Sequence, residues 1–212
     1  MSTTFRGPRK GADRAVLLAH GAGSDRRAPA LVAVATALAS AGIPSLCFDY
    51  PYRIAGRRAP DRPVVLAAAT RAATATLARR TGLPGERIVL GGRSMGGRYC
   101  SLVVGDVEDP LPALGLLLLG YPLHAMGRPD RRRDEHFKRL TIPVLFVSGT
   151  RDSMAPRAEL TRSARKIKGE VTKHWLDTAD HGFRPLKRSG LTAEAVLADV
   201  AETSVTWVTG LP

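Results

Sequence analysis

Arg87–Gly97 reads RIVLGGRSMGG. The run Arg87–Leu90 is short, apolar and β-branched, which suits a buried strand. Met95 opens a stretch to about Gly105 that suits a helix. Between them, Gly92-Arg93-Ser94-Met95-Gly96 fits the pattern G-x-S-x-G on a strand-to-helix turn. A serine on such a turn sits in strained backbone geometry, and only small neighbours let strand and helix approach that closely. Its hydroxyl then stands clear of the surface, and the N–H of Met95, at a helix N-terminus, faces whatever the hydroxyl attacks. The plainer reading is a glycine-rich turn with an ordinary serine.

Working outward, Ala15–Ala19 (AVLLA) is another apolar run, closed by His20-Gly21-Ala22-Gly23. Further strands are expected at 43–50, 114–119, 143–148 and 171–176. Helices are expected at 29–41, 63–80, 157–167 and 191–208, with a short one near 134–140. Strands alternate with helices, and the strands are continuously apolar rather than in-and-out. Both features predict an α/β fold whose mainly parallel sheet, about six-stranded, carries helices on both faces. Sites in such sheets lie beyond the carboxyl ends of the strands. The loops after residues 19, 50, 90, 119, 148 and 176 are therefore the ones to search. With no repeat and no linker, 14–212 reads as a single domain and 1–13 as a flexible basic tail.

A serine needs a base to take its proton. Of the five histidines, His174 falls inside the last strand, His20 precedes the first loop, and His124 and His136 lie in the irregular 121–142 stretch. His181, in Ala179-Asp180-His181-Gly182-Phe183, follows the last strand at the correct sheet end, with a permissive glycine after it. The base needs a carboxylate to fix its tautomer. Asp152, directly after the fifth strand in Ser148-Gly149-Thr150-Arg151-Asp152, fits better than Asp180, because adjacent side chains on an extended segment point apart. A loop-capping role is the alternative for Asp152. The chain order Ser94, Asp152, His181 matches the order this layout uses. In the first loop, Ala22 is the best-placed backbone donor for an oxyanion, with Gly23 next.

Two nucleotide-binding readings fail on chemistry. Gly92-x4-Gly97-Arg98-Tyr99 resembles a phosphate loop but lacks its lysine and its magnesium-binding hydroxyl. His20-Gly21-Ala22-Gly23 could open a dinucleotide fingerprint, but Arg26 stands where the third glycine belongs.

The chain has 212 residues, 44% hydrophobic and 24% charged, a globular composition. No apolar run reaches membrane-spanning length. Two cysteines, Cys47 and Cys100, make no disulfide framework, and the first fourteen residues lack the apolar core of a secretory signal, so a cytoplasmic protein is expected. The net charge is +13. Residues 51–80 hold seven arginines and one aspartate but only one aromatic, Tyr52, so no nucleic-acid stacking platform or reading helix is recognisable and no specific nucleic-acid partner is expected. Abundant Arg and Ala point instead to compositional bias.

With HGAG at 20–23, GGRSMGG at 91–97, GTRD at 149–152 and DHGF at 180–183, the chain resembles the α/β-hydrolase superfamily over roughly residues 14–209. It looks most like the small dienelactone-hydrolase-like group, whose relatives include testis-expressed proteins and a chromatin-complex subunit. The resemblance implies hydrolysis of a carboxylic ester or thioester through an acyl-enzyme, without metal or cofactor. Ser94 is then the nucleophile, His181 the base, Asp152 the orienting acid, and Met95 and Ala22 the oxyanion hole. In dienelactone hydrolase the nucleophile is cysteine, so the lactone substrate does not carry over. The family's usual first two strands have no room before Ala15, which implies a minimal sheet. The insertion after Leu119 is too short for a true lid. Arg93, Gly23, Arg26 and Arg53 are candidate substrate contacts, and the arginines would favour an anionic substrate; solvated surface is their alternative. A non-catalytic scaffold that binds a protein partner is the competing function.

Overall fold

Each of the five inner strands of the sheet sends alternate side chains into two different cores, and this explains why those strands read as unbroken apolar runs. Ala15, Leu17 and Ala19 join one cluster with Leu90, Leu118 and Phe146. Val16 and Leu18 join the other with Val89, Leu117 and Val147. The structure is a computed structural model and describes residues 2–212. Its elements run β1 (Thr3–Arg6), β2 (Ala15–Ala19), α1 (Pro29–Ser40), β3 (Ser45–Phe48), α2 (Pro51–Ile54), α3 (Pro63–Thr81), β4 (Ile88–Arg93) and α4 (Met95–Val104). They continue with β5 (Gly115–Leu119), β6 (Val144–Gly149), α5 (Arg157–Ala164), β7 (Val171–Leu176) and α6 (Ala193–Thr209).

The sheet has seven strands in the order β1-β3-β2-β4-β5-β6-β7, all parallel except β1. The expected count of six is corrected by β1, which pairs antiparallel with β3, Thr3 opposite Phe48 and Arg6 opposite Ser45. Thr3–Arg6 therefore belongs to the sheet and not to a flexible tail. Its one apolar side chain, Phe5, packs against the first core. A four-residue strand with one apolar residue leaves no periodic signal. At the opposite edge, β7 exposes Thr172 and Lys173, a polar rim that discourages pairing with another chain.

One layer is formed by α1 and α6. Leu31, Val34 and Leu38 of α1 and Val196, Val200 and Val208 of α6 recur at helical spacing and face the second core. The Thr192 hydroxyl caps α6 by accepting from Ala195 N at 3.1 Å. The other layer holds α3, α4 and α5, through residues such as Leu66, Leu77, Cys100 and Leu160. Strand order runs from β2 outward to β3, then back across to β4 on the other side of β2. The crevice at this reversal lies between the loops that follow β2 and β4, where open α/β sheets bind ligands. The 121–142 stretch contains one short 3-10 turn, Glu135–Arg139, and no α-helix.

Candidate active site

Strand β4 ends and α4 begins at Ser94, whose backbone sits at φ 50° and ψ −114°. A non-glycine residue there carries strain of about 1–3 kcal/mol. The surroundings enforce it. A Cβ at Gly92 or at Gly96 would collide with the Ala19 carbonyl of β2, so α4 can sit this close only because both positions are bare. Ser94 N donates to Leu119 O at 2.9 Å, tying the turn to β5. The serine is half-buried.

Two further loops converge on it. Thr150 N donates to Leu176 O at 3.0 Å and Arg151 N to Ala179 O at 2.9 Å, so the loop after β6 is pinned to the loop after β7. That brings His181 Nδ1 within 2.8 Å of Asp152 Oδ2 and His181 Nε2 within 3.0 Å of Ser94 Oγ. The Asp152 side chain is fully buried and accepts a second bond, from Met154 N at 2.8 Å. An ionised Asp152 fixes the proton on Nδ1, which leaves Nε2 free to accept from the serine hydroxyl. Asp180 stays away from the imidazole: its Oδ1 accepts from Gly182 N at 2.7 Å and Arg184 N at 3.0 Å, closing the turn that carries His181.

The loop after β2 lies opposite. His20 is fully buried; its Nε2 accepts from Tyr50 N at 3.2 Å, and its Nδ1 lies 2.8 Å from Gly21 O. Burial lowers its pKa, so the ring is a neutral brace for this loop. Ala22 borders Ser94, and among the described residues neither Ala22 N nor Met95 N donates to a protein acceptor.

The four candidate substrate contacts fare unevenly. Arg93 turns its guanidinium to the His181 carbonyl, and the charge stacks 4.6 Å from the centre of the Phe183 ring. Burial pulls its pKa down to about 10, partly offset by Asp152 and Asp180, so it remains a cation at neutral pH. Arg26 is held by Asp49, with its N on Oδ1 at 2.8 Å and its Nε on Thr4 Oγ1 at 3.2 Å. It fastens the loop after β2 to the ends of β3 and β1. Arg53 approaches the Arg57 carbonyl at 3.4 Å, and neither Arg26, Arg53 nor Gly23 lines a cavity that touches Ser94.

Two cavities do touch it. His181, Phe183 and Leu197 wall the first. Arg98, Tyr99, Arg133 and Met154 wall the second. Sequence reasoning missed Arg98 and Arg133. Arg98 had a usable signal, since a residue four positions after Ser94 on a helix shares its face; Arg133 sits in irregular chain and had none. Among the described residues no group of three or more His, Cys, Asp or Glu side chains could hold a metal ion, and no helix is long and apolar enough to cross a membrane.

Known proteins share this architecture. An alpha-beta serine hydrolase homologue from Coxiella burnetii superposes with a TM-score of 0.74 at 17% identity, over 96% of this chain and 89% of its own. Dienelactone hydrolase from Anabaena variabilis gives 0.72 at 21% identity, over 99% and 91%. Est1E from Butyrivibrio proteoclasticus, bound to ferulic acid, gives 0.73 at 15% identity, over 98% and 95%. At such identities the likeness speaks for the fold. A family model described as an alpha/beta hydrolase domain matches residues 12–209. With that match over nearly the whole sequence, the chain belongs to the alpha/beta hydrolase family.

Proposed function

We infer that the protein is a serine hydrolase that cleaves a small carboxylic ester or thioester through an acyl-enzyme. The observation that carries the reading is the unbroken line from Ser94 Oγ through His181 to the buried Asp152, set on a strained strand-to-helix turn. In this mechanism Ser94 Oγ attacks the carbonyl carbon while its proton passes to His181 Nε2. The tetrahedral oxyanion is held by the N–H groups of Met95 and Ala22, each donor contributing about 3–4 kcal/mol in the transition state. Collapse breaks the bond to the leaving oxygen or sulfur, which takes the proton from His181. Water then attacks the acyl-serine, again with His181 as base, and releases the acid. Asp152 orients the imidazole and stabilises its cation throughout. The two free, buried thiols suit a reducing cytoplasm.

A fluorophosphonate should label the native protein at Ser94 and leave Ser94→Ala unlabelled. Turnover of a short soluble ester should drop by about 10⁴-fold or more in Ser94→Ala and in His181→Ala. Equal labelling of the native and Ser94→Ala proteins, or a native protein that cleaves no ester, would leave the scaffold reading in its place.

A further inference from the structure

Arg98 and Arg133 wall one cavity, and neither is paired with the single carboxylate that borders it. Among the described residues neither side chain forms a salt bridge or donates a hydrogen bond, and Arg98 Nε is buried without any acceptor. Arg132 is saturated by Glu159, Asp134 and Ser163. Asp134 also takes Lys166, so the nearby carboxylates are spent. The one acidic residue of the cavity wall, Asp61, is bound to Arg57 at 2.5 Å and to Tyr52 N at 2.8 Å. Burial and the Arg98 charge together hold the Arg133 guanidinium below its ordinary range. Both are positioned rather than free. Arg98 sits on α4 one turn beyond Ser94, its N donating to Ser94 O at 3.0 Å and its cation 5.5 Å from the Tyr99 ring. The backbone of Arg133 is fixed by its N on Leu123 O at 2.8 Å and by the Tyr121 hydroxyl on its carbonyl at 2.5 Å.

Which half of an ester enters this cavity follows from the position of the base. His181 must hand its proton to the leaving group, and it lines the other cavity and not this one. The second cavity instead meets Ser94 beside Ala22 and Met95. We propose that the second cavity is the acyl subsite and that Arg98 and Arg133 together grip a carboxylate at the far end of the acyl chain, so that the substrate is a hemiester or hemithioester of a short dicarboxylic acid. This rests on Ser94 being the nucleophile. Two arginines in a partly desolvated pocket recognise a carboxylate by charge-assisted hydrogen bonds, which are stronger and more directional than neutral ones. A helical turn of about 5.4 Å between Ser94 and Arg98 keeps the spacer to a few methylenes.

The test compares three aryl esters: the hemisuccinate, the same ester with its distal carboxylate capped as a methyl ester, and an acetate whose phenol carries the carboxylate instead. The native enzyme should cleave the hemisuccinate with a kcat/KM at least about tenfold above the capped ester. That ratio should fall towards one in Arg98→Gln and in Arg133→Gln. It should persist in Arg131→Gln, which removes the same formal charge from an exposed position of the same segment. Fluorophosphonate labelling of Ser94 in each variant reports that the nucleophile is intact. Equal rates on the first two esters by an enzyme that still labels at Ser94 would overturn the subsite alone. A preference for the phenol-borne carboxylate would overturn the acyl assignment. Loss of the ratio in Arg131→Gln as well would assign it to the overall charge and not to the pair. Absence of both labelling and turnover would overturn the nucleophile and the subsite together.

Discussion

Arg93 is next to Ser94 in sequence and borders the first cavity, with its guanidinium turned to the loop that carries His181. Its guanidinium donates to the His181 carbonyl, lies on the Phe183 ring and feels Asp152 and Asp180. Of the three arginines expected to line the site, Arg93 borders the first cavity with its guanidinium on the His181 carbonyl, Arg26 is held by Asp49, and Arg53 lies outside both cavities. Arg93→Met should loosen the His181 turn. A displacement of about 1 Å at a catalytic group costs up to about 10²-fold in rate, so kcat should fall by roughly 10- to 100-fold with KM little changed. Neutral and anionic esters should suffer alike, and the salt dependence of the anionic one should stay as it is in the native enzyme; kcat and KM for both esters at two ionic strengths check this. The group Ser94, His181 and Asp152 was legible because each sits in a short glycine-flanked loop at a strand end. The destination of Arg26 was not, since its partner Asp49 lies 23 residues away and nothing local distinguishes a paired arginine from a free one.

At the scale of elements, the turn is held by the contact of α4 with β2, and that contact has no slack. An added Cβ at Gly96 would meet the carbonyls of both Ala19 and His20, which are backbone atoms of a central strand and its loop. They cannot rotate away as a side chain could. Gly96→Ala should cost about 3 kcal/mol or more, at the upper end of overpacking penalties, and should abolish fluorophosphonate labelling even where folded protein survives. Urea midpoints and labelling of the same preparation measure the two effects. A near-native midpoint with full labelling would mean that α4 can lift off the sheet. The helices and parallel strands could be read from the sequence because burial on both faces writes long apolar runs. Strand β1 could not, because an edge strand is specified by the partner it meets, here Ser45–Phe48, more than by its own residues. Nor could the 3-10 turn Glu135–Arg139 be told from an α-helix, as its residues suit either.

Across the whole molecule, two buried imidazoles tie stability to pH. His136 is almost fully buried, 2.8 Å from Ser101 Oγ, and burial together with the Arg98 and Arg139 charges lowers its pKa to about 4. This is a second serine–histidine contact, but Ser101 is fully buried and no carboxylate hydrogen-bonds to the ring, so it braces α4 rather than performs chemistry. The pKa of His20 is shifted downward too. Both rings are neutral in the folded state and would take a proton near pH 6.5 in the unfolded chain. Between about pH 6.5 and 4 the unfolded state thus binds more protons, and stability must fall as the pH falls through that window. Above it the two rings contribute no slope. For His136 alone the loss approaches about 3 kcal/mol at the lower end. Urea midpoints measured from pH 7.5 to 4 should therefore decline in the native protein and decline less steeply in His136→Gln, which keeps a hydrogen-bonding side chain and removes the titration. The net charge of +13 supplies a rival cause, since protonating carboxylates at low pH increases self-repulsion. Salt separates the two. Repulsion between exposed charges is screened over about 10 Å at 0.1 M, whereas the cost of charging a buried imidazole is not. A decline that vanishes in high salt, with His136→Gln indistinguishable from the native protein, would assign the acid sensitivity to surface charge and release His136 from the role.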